Sequence, residues 1–323
     1  MRGKTTRFHK INTEGKMKKR KLKTEMGNLN RRKLEERVMM IFMLLFTALA
    51  LSCFFLIIGD IVTKGLGRVV EGGWDYLIKN KYEGGIGNEI TGTLLLAFLS
   101  SFISVPIGVF AAVYAQEYAK QNVITKAIRF TSEVLASVPS IVFGLFGLAV
   151  FVFFISDLIE LLFGYRVTFA LLWGALTLAF MEIPGIIRTS EEAIKAVPIT
   201  YREGSYALGA GKWHTVRKVV LPAALPGIIT GVLISFGRTI GETAPIIYTA
   251  GYSPFLPHAS PEALFEPVGS LTMGIYVGYM NLGLTHTVAD LYGSAFILIL
   301  MVVAVNAAAQ LLMRYHARYL RVR

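Results

Sequence analysis

The sequence predicts an all-α membrane protein with six transmembrane helices and both termini in the cytoplasm. Composition supplies the first reason: 54% of the 323 residues are apolar and only 17% charged, against roughly 25% charged in a soluble domain. The second is patterning. The apolar residues fall into six runs, each close to the roughly 20 residues that cross a hydrocarbon core as a helix. The third is charge placement, since 27 of the 33 Lys and Arg lie in the termini and in the connections on one side of those runs. The positive-inside rule makes that side cytoplasmic.

Taken in order, residues 1–37 form a basic cytoplasmic tail with fourteen Lys or Arg, expected to be disordered. The net charge of +12 is therefore mostly juxtamembrane, where cations orient helices and meet anionic lipid. The cluster Lys16–Lys23 has no folded module around it, so a nucleic-acid partner is excluded. Met17 and Met26 leave a later natural start open. The six-span domain occupies residues 38–323. Its first run, 38–62, exceeds the 7–15 apolar residues of a cleavable signal. Cys53 is the sole cysteine; it forms no internal disulfide and is read as an apolar-face residue. The next three runs, 91–115, 134–156 and 167–188, contain Pro106, Pro139 and Pro184, tolerable where neighbouring helices re-satisfy the freed carbonyls. The last two are 223–249 and 288–313. Between them, Gly251–Thr287 is rich in Pro and aromatics; its composition fits a solvated loop and a partner-binding loop equally.

Enzymatic chemistry finds no support. A phosphate-cradling G-x-x-x-x-G-K-[ST] is missing, the nearest approach being Gly211-Lys212 followed by Trp213. Neither H-E-x-x-H nor G-x-S-x-G occurs, and the five histidines lack metal-ligand spacing. An intramembrane enzyme would need paired Asp or a Ser–His pair at one depth, and the spans offer none.

Two segments carry function. In the cytoplasmic connection 189–222, Glu203-Gly-Ser-Tyr-Ala-Leu-Gly209 is followed after nine residues by Val219-Val-Leu-Pro222. Thr200 and Glu203 match a T-x-x-E capping box, Tyr201 and Leu208 share a face, and Gly209 supplies a left-handed stop. The pattern predicts a short, sharply ended helix at the membrane surface, suited to a partner's groove. The second segment, Ser235-Phe-Gly-Arg238-Thr-Ile-Gly-Glu242-Thr-Ala-Pro245, lies inside the fifth run. Arg238 falls about 18 Å along the helix counted from Pro226, where a charge is costly and must face protein or water. Glu242 is four residues on and can pair with it; Gly237 and Gly241 allow close approach. Two roles are open: an ion pair that fixes packing, or a polar station on an anion pathway, for which Arg offers a planar fork.

The spacing of the cytoplasmic segment resembles the EAA loop of permease subunits in ABC importers, with Gly204-Ser205 where Ala-Ala is usual and Val219 where Ile is usual. Arg-Thr-Ile-Gly-Glu-Thr-Ala-Pro at 238–245, followed by Ile246-Ile-Tyr-Thr-Ala250, is similar to the PstA-type permease of phosphate importers. Tyr82–Gly87, Val138–Gly144 and Ile187–Ala193 agree with that type. Glu182 departs from it, because an apolar residue is expected there; it reads as pore-facing or cavity-lining. The resemblance implies the type I ABC importer permease fold and the import of inorganic phosphate, with another oxyanion such as molybdate or tungstate as the alternative. It implies a homologous PstC-type sister permease, two PstB-type ATPase subunits that hold the ATP and Mg, a PstS-type phosphate-binding protein, and no cofactor on this chain. Glu203, Gly204, Ser205, Leu208 and Gly209 are the expected ATPase-coupling residues. Arg238, Glu242 and Thr243 are expected to line the translocation pathway.

Overall fold

The computed structural model describes the backbone of residues 3–119, 123–258, 260–283 and 287–321, and within these the side chains except at 3–35, 123–125, 128–129, 309 and 312–321. The expectation of a disordered basic tail at 1–37 lies, apart from Glu36 and Arg37, outside the described side chains. Backbone contacts divide the chain into two units, Met1–Asp60 and Ile61–Arg323. The first is helical over its described length, as part of α1 (Gly3–Ile78), and contains the first apolar run as far as Asp60. The second contains the remainder of α1, kinked at Gly73 where φ is 56°, and the other elements.

Among the described residues, six helices are long and apolar enough to cross a membrane: Glu36–Ile78, Gly87–Tyr118, Ser140–Phe163, Leu171–Lys195, Lys212–Ile240 and Val288–Ala308. The count and order match the sequence reading, but the boundaries differ: the first helix runs to Ile78 instead of 62, the fifth begins at Lys212 instead of 223, and two further differences occur at prolines. The run expected to begin at 134 is two helices. An amphipathic α3 (Val123–Ala136) stops at a turn in which Ser137 and Val138 N–H bond back to Val134 and Leu135. Pro139 then opens α4 (Ser140–Gly147), which continues through a π-helical stretch, Leu148–Ile155, into α5 (Ser156–Phe163). A proline disfavours helical backbone in the residue before it, so Pro139 begins this span instead of interrupting it. The run expected to reach 249 ends at Ile240, because Pro245 has no N–H to give the Gly241 carbonyl. A one-turn helix, α10 (Ala244–Ile247), follows the break.

Helix α2 (Gly87–Val113, extended by a π turn at Tyr114–Tyr118) and α6 (Leu171–Lys195) form the centre, with α9 (Leu221–Ile240) packed against both. Small residues set the approach. A Cβ on Gly108 of α2 would lie 2.6 Å from Ile186 Cγ2 on α6. On α9, Gly227 and Gly231 face Ala193 and Thr189 of α6, and a Cβ there would lie 2.7 Å and 2.6 Å from their Cβ atoms. Glycines four apart share one face, and in lipid such close contact is a main source of helix association. One end of this bundle closes over Ala112, Ile194, Val216, Val220 and Ile228. At the other, α11 (Leu271–Met280) and α12 (Val288–Arg321) pack together. There Glu89, buried at the start of α2, accepts hydrogen bonds from Tyr252 and Ser294, both 3.2 Å. Arg68 pairs with Asp290 at 2.9 Å.

Candidate coupling helix and membrane polar site

The segment between α6 and α9 folds as the short helix α7 (Ile199–Ala207) and a turn of helix, α8 (Lys212–Thr215), which passes through a π turn (Val216–Val220) directly into α9. The start of α7 differs from the capping-box expectation. Pro198 is the N-cap and no side chain caps the helix. A proline there fixes its own φ near the helical value, so the helix opens before Thr200, and Thr200 and Glu203 lie inside it. The stop agrees with expectation. Gly209 has φ 81°, its N–H bonds Tyr206 O at 2.9 Å, and Ala210 N–H reaches back to Ser205 O at 3.2 Å.

No residue of α7 is buried. Glu203, Gly204, Leu208 and Gly209 are exposed, Leu208 to 90%, together with Ile199, Tyr201 and Trp213. Ser205, the fifth expected coupling residue, is half-buried and its hydroxyl lies 2.8 Å from that of Thr215. The inward face also carries a residue that the sequence did not single out. Arg202 donates from Nε and Nη2 to Glu117 Oε1 at 3.1 and 2.7 Å, from Nη1 to Val197 O at 2.8 Å, and from Nη2 to Ile194 O at 3.1 Å.

At the far end of α9 the expected pair forms: Arg238 Nε donates to Glu242 Oε1 at 3.3 Å. Arg238 stands in the last turn of the helix with its side chain 68% exposed, whereas the Glu242 side chain is 15% exposed. Thr272 of α11 donates to the Glu242 carbonyl at 2.9 Å, which fixes the backbone of this corner. Thr243 is the half-buried N-cap residue of α10; its carbonyl accepts from Ile246 and Ile247. Gly237 receives Asn306 of α12, so its open side serves packing, while Gly241 stays uncovered.

Behind Arg238 lies Glu182 on α6, buried, accepting from Ser104 of α2 at 2.7 Å and from Thr239 of α9. Arg238, Thr239, Glu182, Ser235 and Met181 line a common small cavity. With Nε on Glu242, the terminal guanidinium nitrogens have no partner among the described residues. They present the two-pronged donor edge that matches a tetrahedral oxyanion.

Residues 104–322 match the family model described as binding-protein-dependent transport system inner membrane component. The chain belongs to that family. The permease is therefore a multi-pass protein of the cytoplasmic membrane and is not itself catalytic. It is 33% identical to the probable phosphate transport system permease protein PstA of Methanocaldococcus jannaschii, over 85% of this chain and 92% of that one. Against phosphate transport system permease protein PstA 1 of Mycobacterium tuberculosis, strain H37Rv, it is 32% identical over 78% of this chain and 79% of that one. It is 35% identical to the probable ABC transporter permease protein YqgI of Bacillus subtilis, over 70% and 77%. Among solved structures, a bacterial ABC transporter that imports the acidic polysaccharide alginate matches with a TM-score of 0.58 at 17% identity, covering 88% of the permease and 99% of that chain. The inward-facing MetNI methionine transporter matches with a TM-score of 0.53 at 21% identity, over 71% and 95%. These likenesses establish the type I importer permease fold.

Glu182 is thus cavity-lining and held between three helices. Arg202, Glu117, Ser104, Thr215, Thr239 and Thr272 are polar residues at these two sites that the sequence did not mark out. The available signals were a charge at the end of an apolar run, at Glu117, and a cation beside the loop's conspicuous Glu, at Arg202.

Proposed function

We propose that this permease carries inorganic phosphate into the cytoplasm. The observation that carries the reading is the exposed, two-pronged edge of Arg238, held by Glu242 at a break between helices, in a chain whose relatives include PstA permeases. Arg238, Glu242 and Thr243 form the polar station on the pathway. Both termini and the 189–222 connection face the cytoplasm, as the distribution of Lys and Arg requires. There α7 presents Glu203, Gly204, Leu208 and Gly209 to an ATPase subunit, with Ser205 seating the helix on Thr215. A PstC-type sister permease completes the pathway, two PstB-type ATPases supply the ATP- and Mg-dependent step, and a PstS-type binding protein delivers phosphate from outside. Closure of the ATPases moves α7, and the two permeases alternate their access.

The test is uptake of labelled phosphate by cells that contain the three partner proteins, with and without this chain. Uptake should require the chain and should fall sharply with Arg238→Met at equal amounts of assembled complex. Uptake of labelled molybdate or tungstate that depends on the chain, with phosphate uptake unaffected, would refute phosphate as the substrate.

A further inference from the structure

We propose that Arg202 is a positioning residue: through Glu117 and the end of α6 it clamps the coupling helix to α2 and α6, so that load on α7 enters those two spans at one point. The inference rests on the proposal that α7 docks an ATPase subunit, and it adds the route by which the push leaves the helix.

Helix α7 is poorly anchored otherwise. None of its residues is buried, it packs chiefly against α8 and the π turn that follows, and its outward face, mostly apolar but bearing Glu203, is open. The chain enters it at Pro198 and leaves at Gly209 and Gly211. A left-handed glycine with nothing near it is a point at which backbone bends readily. A push on such a helix would be absorbed in the exit turn unless something stiff met it from within.

Arg202 meets that need. Its side chain is 13% exposed and that of Glu117 is 7% exposed, so the pair is held largely out of water, where it is screened little. Glu117 lies in the π turn that ends α2. The other two acceptors, Ile194 O and Val197 O, belong to the last turn of α6 and the residues just beyond it. Ile194 O receives the Val197 N–H at 3.3 Å but no i+4 N–H, since Pro198 has none to give, and both carbonyls sit at the negative end of the helix dipole. One planar guanidinium therefore joins three backbone segments in fixed geometry, which a flexible ammonium could not do. Buried ion pairs are poor evidence for stability, and their best-attested use is to specify arrangement.

The joint also connects to the polar site by packing already described. Ser104 on α2 donates to Glu182 on α6, and Glu182 also accepts from Thr239, beside Arg238 on α9. Displacement of α7 thus has a stiff path to the station residues through α2 and α6, as well as the covalent path through α8 and α9.

The experiment uses the assembled transporter with its sister permease, ATPase subunits and binding protein. Arg202→Gln, Arg202→Lys and Glu117→Ala are compared for ATPase retained on purification and for ATP hydrolysed per phosphate imported. The clamp predicts that the ATPase stays bound while ATP used per phosphate rises roughly 3- to 30-fold in Arg202→Gln and Glu117→Ala. Arg202→Lys should fall between, since it keeps the charge and loses the fork. Should Arg202→Gln fail to assemble, Glu117→Ala decides, because it removes the carboxylate acceptor and leaves Arg202 bonded to both carbonyls. A wild-type ratio in Glu117→Ala, or release of the ATPase by it, overturns the clamp. Leu208→Asp separates the underlying reading: if the ATPase still co-purifies with that variant, α7 is not the docking helix.

Discussion

Glu182 allows the sharpest test of how the three central helices hold together. It sits on α6, is 5% exposed, and receives hydroxyl hydrogen bonds from Ser104 on α2 and Thr239 on α9. Interhelical side-chain hydrogen bonds in membranes are worth about 0.6 kcal/mol on average and up to about 1.7. Two such bonds put the cost of Glu182→Leu at about 1–3 kcal/mol, or roughly 5- to 150-fold in the folding equilibrium. The loss is unequal between partners, since Thr239 retains the Ser235 carbonyl at 3.1 Å. Glu182→Gln behaves differently. Its carbonyl oxygen still accepts from one hydroxyl, and its NH2 donates to the other after that hydroxyl rotates. The cost should stay near or below about 1 kcal/mol. The assay is denaturation of the purified complex in mixed micelles, followed by size-exclusion chromatography, with the order wild type, Gln, Leu. A Leu variant as stable as wild type, or a Gln variant less stable than Leu, would refute the picture of Glu182 as a three-helix latch.

Other outcomes follow from the same geometry. Gly231→Leu should destabilise by about 1–3 kcal/mol through overpacking against Thr189, whereas Gly185→Ala on α6, where nothing lies within 4 Å, should be neutral or slightly stabilising; equal melting temperatures would contradict the close α6–α9 approach. Gly209→Val forces a branched side chain into left-handed backbone at about 1–2 kcal/mol and should lower uptake per assembled complex, with Gly209→Asn milder; wild-type uptake by the Val variant would remove the helix stop from the mechanism. Arg238→Met leaves Glu242 without its cation, and the second change Glu242→Met removes that charge as well. If the double variant assembles stably yet imports little phosphate, Arg238 has a role beyond packing; near wild-type uptake by a stable double variant would leave only the packing role.

The spans were legible because long apolar runs have few alternatives, and the charge asymmetry between connections is equally a property of the sequence alone. Their ends were less so. Pro139 and Pro245 were readable as residues, but whether a proline interrupts a helix or bounds it depends on whether neighbours supply the missing hydrogen bonds, which one sequence does not reveal. The stop of α7 was legible at Gly209 because its conformational demand is local. The start was not: T-x-x-E is also a common interior pattern, and Pro198, two residues before Thr200, set the frame. Arg238 and Glu242 could be paired from their spacing of four. Arg202 and Glu117 are 85 positions apart, and nothing in a single chain links them. The Gly227–Gly231 spacing is a readable contact signal; its partner residues, Thr189 and Ala193, are not.

One property of α6 bears on how the protein reaches the bilayer. It is the least apolar of the six spans, and 67% of its most apolar stretch is enclosed by protein, against 17–33% for the spans at 87–118, 140–163, 212–240 and 288–308. A segment bearing Glu182 and Pro184 is a poor candidate for entering lipid by itself, since a mid-span carboxyl alone costs about 2.5–3.5 kcal/mol on insertion scales. Its favourable neighbours are made at different times. Helix α2 with Ser104 has already emerged when α6 is synthesised, while α9 with Thr239, Gly227 and Gly231 has not. Topogenesis of this chain is therefore ordered by sequence position: α6 can partition laterally against α2, α3 and α4, and it waits for α9 to fill its second hydrogen bond and its remaining packing face.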